Sequence, residues 1–236
     1  MIGAVLGRVG RCLVRALDAA LRRSLHVQSF TDDPVCILRL SLDRAREALV
    51  LEDGTQIRPG DPVIDLHFWN ERVPPMPESG PDLRWAREMY RRFVASLRLL
   101  ALHLAASPSH AGVRAIRGEF GFLSGESLNA QHDLLRRLGL EVRRLRAARG
   151  AWGRFAEFWQ NLFSYWLIWT YNPASLRDKH LLDLERCQVW MSRGALLARY
   201  GASPQGPQPS ALGRSGSAPG DHGAPAAEQD GPGPRG

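Results

Sequence analysis

Gly54-Thr-Gln-Ile-Arg-Pro-Gly-Asp-Pro-Val-Ile-Asp-Leu-His-Phe-Trp-Asn-Glu-Arg72 is the stretch that decides the fold. A Pro59-Gly60-Asp61-Pro62 turn leads into Val63 to Phe68, where Ile64, Leu66 and Phe68 alternate with Asp65 and His67. That period of two marks a strand with an apolar face for the core and a second face carrying Asp65 and His67. Asn70, Glu71 and Arg72 follow at the strand end, before a loop stiffened by Pro74, Pro75, Pro77 and Pro81. A polar cluster at a strand terminus is a candidate site, although it matches no diagnostic catalytic or metal signature.

Working upstream, the globular part opens near Asp32-Asp33-Pro34. Val35 to Leu42 and Ala48 to Leu51 read as strands, and Glu52-Asp53-Gly54 supplies the Asp-Gly dipeptide of a tight reversal, so the opening is a small antiparallel unit. Downstream, Asp82 to Ala105 reads as a helix with Ala86, Met89, Phe93, Leu97, Leu100 and Leu104 on one face. Ser79-Gly-Pro-Asp82 resembles a capping box with Pro81 in the first turn. Val113 to Phe120 is a strand, Leu128 to Leu138 a helix and Glu141 to Leu145 a strand. Pro173 to Arg193 fits either a helix or a loop plus strand, and Gly194 to Tyr200 fits a short helix. Alternation of this kind predicts an α/β domain, with α+β as the alternative. Its mixed sheet has about five or six strands, parallel crossovers and flanking helices.

If the Val63 and Val113 strands run parallel, their C-terminal ends open on one edge, where ligands collect in α/β sheets. His67, Asn70, Glu71 and Glu119 are then the candidate catalytic residues, with His67 a general base oriented by Asp65 or Glu71. Arg72, Ser124, Gly125 and Ser127 are the candidate ligand-binding residues, since the Gly121-to-Ser127 loop ends at a helix N-terminus able to hold an anion. The bland alternative makes Asp65 and His67 ordinary residues of a half-exposed strand and Ser127 an N-cap. His67 and Glu71 form only an HxxxE spacing at a strand-to-loop junction, so no metal site is assigned. No Walker loop, GxGxxG or GxSxG occurs, and no cofactor is expected.

Residues 2 to 25 form an amphipathic helix. Arg8, Arg11, Arg15 and Arg22 cluster opposite Ile2, Val5, Val9, Leu13, Ala16, Leu17 and Ala20. The arginines exclude a secretory signal or a bilayer span. Three readings stay open: a helix packed on the domain, an interfacial membrane helix with snorkelling arginines, and a mitochondrial-type presequence. Arg136 to Arg154 then holds seven arginines against one acid, Glu141, and Ala151 to Tyr171 holds nine aromatics. Those rings suit core packing, an interfacial aromatic belt or, least well for a helix, a base-stacking platform. Residues 202–236 contain seven prolines and eight glycines. Such a tail cannot bury enough surface to offset ordering entropy, and disorder is expected.

The organisation expected is therefore a basic amphipathic helix over 1–28, one domain over 32–201 and a Pro/Gly-rich tail. A net charge of +7 and a pI near 10.1 favour an anionic partner, here an anionic membrane surface rather than nucleic acid; no protein partner is legible. Cys12, Cys36 and Cys187 form no CxxC and cannot all pair within the chain, which points to a reducing compartment. A cytoplasmic location, peripheral on the inner membrane, is the expectation.

Gly60, Asp61, Val63, Leu66, His67 and Asn70 also carry a resemblance. With Arg117-Gly118, Leu138-Gly-Leu-Glu-Val142 and Met191-Ser-Arg193 before Leu196-Leu-Ala-Arg-Tyr-Gly201, they make Val35 to Gly201 similar to the YkoP-like domain family. The resemblance implies a bacterial domain without an established activity, some of whose relatives are fused to polysaccharide deacetylases. It does not extend to the basic helix, the Trp-rich segment or the tail. Two functions follow: an accessory domain at the membrane surface serving envelope polysaccharide or lipid metabolism, or a small hydrolase or transferase. The latter would act on a phosphorylated or glycosyl-lipid substrate through His67 and Glu71.

Overall fold

β4 (Pro62–Phe68) lies second in a five-stranded sheet and fixes both of its faces. In the computed structural model, which describes residues 2–123, 127–144, 150–176 and 185–201, that sheet runs β1-β4-β5-β7-β6. β1 is Leu38–Arg44, β5 Ala115–Leu123, β6 Glu141–Arg144 and β7 Glu185–Ser192. β2 (Leu49–Val50) and β3 (Gln56–Ile57) pair separately as a small hairpin. The helices are α1 (Ile2–Ser24), α2 (Leu83–Ala106), α3 (Ser127–Arg137), α4 (Gly150–Tyr171) and α5 (Arg193–Tyr200). This is the α/β class with a mixed sheet. The expected tail falls outside the described residues.

β4 and β5 are parallel neighbours joined through α2, as the alternation predicts. The second crossover differs from the expectation. β5 and β6 are both antiparallel to β7, hence parallel to each other, but β7 lies between them. Residues 185–192 therefore supply the interior strand of the segment that sequence left ambiguous. The opening unit also needs correction. The Asp53-Gly54 reversal does close the β2–β3 hairpin, with Gly54 at φ +82°, where a side chain is disfavoured. β1, however, pairs antiparallel with β4 and begins only at Leu38, since Pro34–Val35 is a turn, closed by Cys36 N–H donating to Asp33 O, where a strand is expected from Val35.

The apolar residues of β1, β4, β5 and β7 face α2 and α5. Leu38, Leu40, Ile64, Leu66, Ile116, Val189 and Met191 meet Phe93, Leu97, Leu100, Leu104, Leu196 and Tyr200 in the main core. The i, i+4, i+7 spacing of Phe93, Leu97 and Leu100 turns one stripe of α2 onto the sheet. Ser96, inside that stripe, is satisfied: its Oγ–H donates to Arg92 O, and its Oγ accepts Ile37 N–H at 2.9 Å. α2 starts differently from the expectation. Asp82 is the N-cap, its carboxylate accepting Trp85 N–H at 2.6 Å, and Pro81 lies before the helix. On the opposite face of the sheet the β2–β3 hairpin lays Leu51 and Ile57 on Val63, Ala115 and Trp190. The remainder of that face is polar.

Candidate functional site

Strand register assembles the polar face. Arg39 stands opposite His67, Ser41 opposite Asp65, Asp65 beside Arg117, and Glu119 opposite Gln188. Side chains directly opposed across a ladder share a face, so residues far apart in sequence become neighbours here. Arg117, 6 % exposed, is held by two carboxylates. Its Nη2 donates to Asp43 Oδ2, and its Nε donates to Asp65 Oδ1 at 3.2 Å. Burial opposes the guanidinium's charge, but Asp65 and Asp43 outweigh it and hold the proton more tightly than usual. Burial likewise opposes ionisation of Asp43, yet the Arg44 backbone N–H and the Arg117 charge draw its carboxyl below the ordinary range.

His67 Nε2 lies 3.0 Å from Ser41 Oγ in a hydrogen bond. Burial lowers the imidazole's proton affinity and Arg117 lowers it further, against the raising charges of Asp65 and Glu119. The ring is therefore neutral near pH 7. Glu119 is exposed and accepts from Gln188 Nε2, whose own Oε1 accepts the indole N–H of Trp190. Of the residues singled out by sequence, the structure thus brings His67 and Glu119 into one electrostatic neighbourhood.

Glu71 and Arg72 go elsewhere. Glu71 lies 3.3 Å from Arg22 and 3.4 Å from Arg39, and Arg22 also meets Asp18 at 3.2 Å. This network ties α1 to the end of the β1–β4 pair. Arg72 stacks 3.4 Å from the centroid of Trp69, which Arg39 also approaches at 4.3 Å, and donates to Asp33 O. Asn70 is half-buried in the turn after β4. Ser124 and Gly125 lie outside the described residues, and Ser127 is the first residue of α3. Ser41 and Asp43 were not legible as site residues, because only the β1–β4 register brings them to the cluster.

α1 makes the second notable surface. It packs on the domain through the strip of Gly10, Val14 and Asp18, the last two buried, with Gly10 against the Trp169 ring of α4; Arg11 over Trp169 and Arg15 over Tyr171 edge that strip and stay exposed. A Cβ at Gly10 would sit 3.2 Å from the tip of that ring, tighter than an ordinary contact, so the indole would have to give by a few tenths of an ångström. Val14 apart, the apolar side of α1 faces outward, leaving Val5, Leu6, Val9 and Leu13 exposed by 58, 66, 52 and 66 %. Phe155, Phe158, Trp159 and Trp166 of α4 are also exposed. Among the described residues, no helix is long and apolar enough to cross a membrane.

These features define a mixed-sheet α/β domain with a helix-covered core face, an internally paired polar face and an amphipathic helix that leaves most of its apolar side outward. The family model described as the YkoP domain matches residues 8–200, and the chain belongs to that family. The match begins within α1 and spans α4, so both helices are part of the family domain, beyond the Val35-to-Gly201 extent read from motifs. No curated protein and no solved structure matches the chain. Several of the quoted motif residues have structural roles: Asp61 accepts Arg58 N–H, Gly60 N–H donates to Ala45 O, and Leu66 is core.

Proposed function

We propose that this YkoP-domain chain is a non-catalytic accessory module that docks on an anionic membrane surface, in the service of envelope polysaccharide or lipid metabolism. The outward apolar stripe of α1 carries the reading. A helix held to the domain by its Val14–Asp18 strip leaves Val5, Leu6, Val9 and Leu13 without apolar cover. Burial of such surface is worth about 25 cal/mol per Å². Exposed Arg8 and Arg23 flank the stripe, the chain carries a net +7, and exposed tryptophans stand on the adjacent α4. An acidic lipid interface complements that combination better than an uncharged protein groove does.

Co-sedimentation with vesicles tests it. The full chain should bind phosphatidylglycerol-containing vesicles and far less to phosphatidylcholine alone, with binding reduced by salt. Leu6→Gln with Leu13→Gln should abolish binding. Equal binding to both vesicle types, or none to either, overturns the proposal.

A second reading, a hydrolase or transferase on a phosphorylated or glycosyl-lipid substrate, draws on the neutral His67 hydrogen-bonded to Ser41. It loses Glu71 as the acid/base partner, since Arg22 and Arg39 engage that carboxylate. Failure of a folded His67→Ala protein to complement a deletion strain would favour it; full complementation would remove it.

A further inference from the structure

A cleft of about 320 Å³ lies among the β2–β3 turn, the C-terminal end of α3, the start of β6 and the junction of β7 with α5. Its size falls at the lower end of small-molecule sites. Leu140 and Met191, each 1 % exposed, close its floor, and the apolar surface open to a ligand comes from half-buried Gly139 and Ala195. Four charged residues also line it, in two categories. Asp53 accepts Ser192 Oγ–H and Thr55 N–H, and Glu141 accepts Glu52 N–H and Arg143 Nη2–H, so both are engaged by the fold. The carboxylate of Glu52 and the guanidinium of Arg136 make no ion pair or side-chain hydrogen bond with any described residue, including each other.

Two opposite charges facing one cavity without touching leave a gap that a ligand bearing both complementary charges can bridge. We propose that this cleft binds a small aliphatic zwitterion, an α-amino acid in its simplest form. The carboxylate would meet Arg136 and the ammonium Glu52, and the side chain would lie over Gly139 and Ala195. An anion alone is disfavoured by the three lining carboxylates. A metal ion is disfavoured because no group of three or more His, Cys, Asp or Glu among the described residues has a metal-holding arrangement. Charge-assisted hydrogen bonds at both ends supply the discrimination. The site is independent of membrane docking.

Calorimetric titration of the full chain with L-leucine tests this, alongside leucinamide, which lacks the carboxylate, and N-acetyl-leucine, which lacks the ammonium. L-leucine should bind saturably and each analogue about tenfold more weakly. Arg136→Gln should weaken L-leucine about tenfold while leaving leucinamide unchanged, and Glu52→Gln should do the same with N-acetyl-leucine as the unaffected ligand. Both side chains are exposed, and circular dichroism would verify that the variants fold. No saturable binding up to about 20 mM, equal binding of all three compounds, or variants that bind L-leucine normally overturns the proposal.

Discussion

Ser41 of β1 and His67 of β4 are diagonal neighbours across an antiparallel ladder, and their side chains meet at 3.0 Å. The hydrogen bond satisfies an imidazole kept neutral by burial. Its proton affinity is lowered in the folded state, so the unfolded chain binds the proton first as pH falls. The resulting stability is complete above about pH 6.5 and is lost as pH falls from there through the lower folded value. Denaturant titrations at pH 7.5 and 5.0 should therefore give a smaller loss for His67→Gln than for the parent. At pH 7.5 the substitution should itself cost about 1–3 kcal/mol through Ser41. His103, lowered by burial and by His110, keeps some pH dependence in both proteins. Identical pH dependence in the two would mean that His67 is not held neutral.

Arg117→Met leaves Asp43 and Asp65 facing each other without their shared cation. We expect a loss of about 2–3 kcal/mol at pH 7, below the full cost of breaking a buried pair because the Asp43 side chain is 40 % exposed. The two carboxylates then favour protonation, so the deficit should shrink as pH falls toward 4. A deficit that does not change with pH would assign the cost to packing against Trp190 instead.

Leu66→Ala and Leu13→Gln probe opposite sides of the same logic. Leu66 belongs to the main core, and its truncation should cost about 2–5 kcal/mol in urea unfolding. Leu13 is two-thirds exposed, and its replacement should change stability by about 0.5 kcal/mol or less. A large loss at Leu13 would show that its apolar side is covered in solution.

Glu71→Gln removes the ion pairs to both Arg22 and Arg39. Since the Glu71 side chain is 37 % exposed, the global cost should stay near 1 kcal/mol. The local effect should be larger: faster proteolysis between Ser24 and Val35 as α1 loosens. Gly10→Leu, which drives a side chain into Trp169, should do the same from the other end of the helix. Unchanged cleavage in both variants would mean that neither contact fastens α1.

The elements legible in the sequence were those with an internal period. The alternation of Ile64, Asp65, Leu66 and His67 specified β4 and its two faces, and the stripe through Phe93 and Leu97 specified α2. Pairing was harder to read. Nothing local in Glu185–Ser192 says that it enters between β5 and β6, since that requires two partners more than forty residues earlier. The same limit hid Ser41 and Asp43, which reach the polar face only through register. Amphipathicity revealed the two sides of α1 but not which one would face the domain. The face used, Gly10, Val14 and Asp18, lies between the two and packs beside α4, whose Trp169 and Tyr171 rings take Arg11 and Arg15 along its edge.

The late insertion of β7 also sets an order of events at the ribosome. Until Glu185–Ser192 emerges, β5 and β6 each present an open hydrogen-bonding edge, and Ile116 and Leu140 lack Met191 as a core neighbour. The nascent chain must therefore carry most of its length as an unfinished sheet, with two edges available to other strands. A chain stopped before Glu185 should aggregate rather than fold. A peptide spanning 185–201, supplied separately, brings both the missing strand and α5, which makes this junction the natural place to split the protein into two self-complementing fragments.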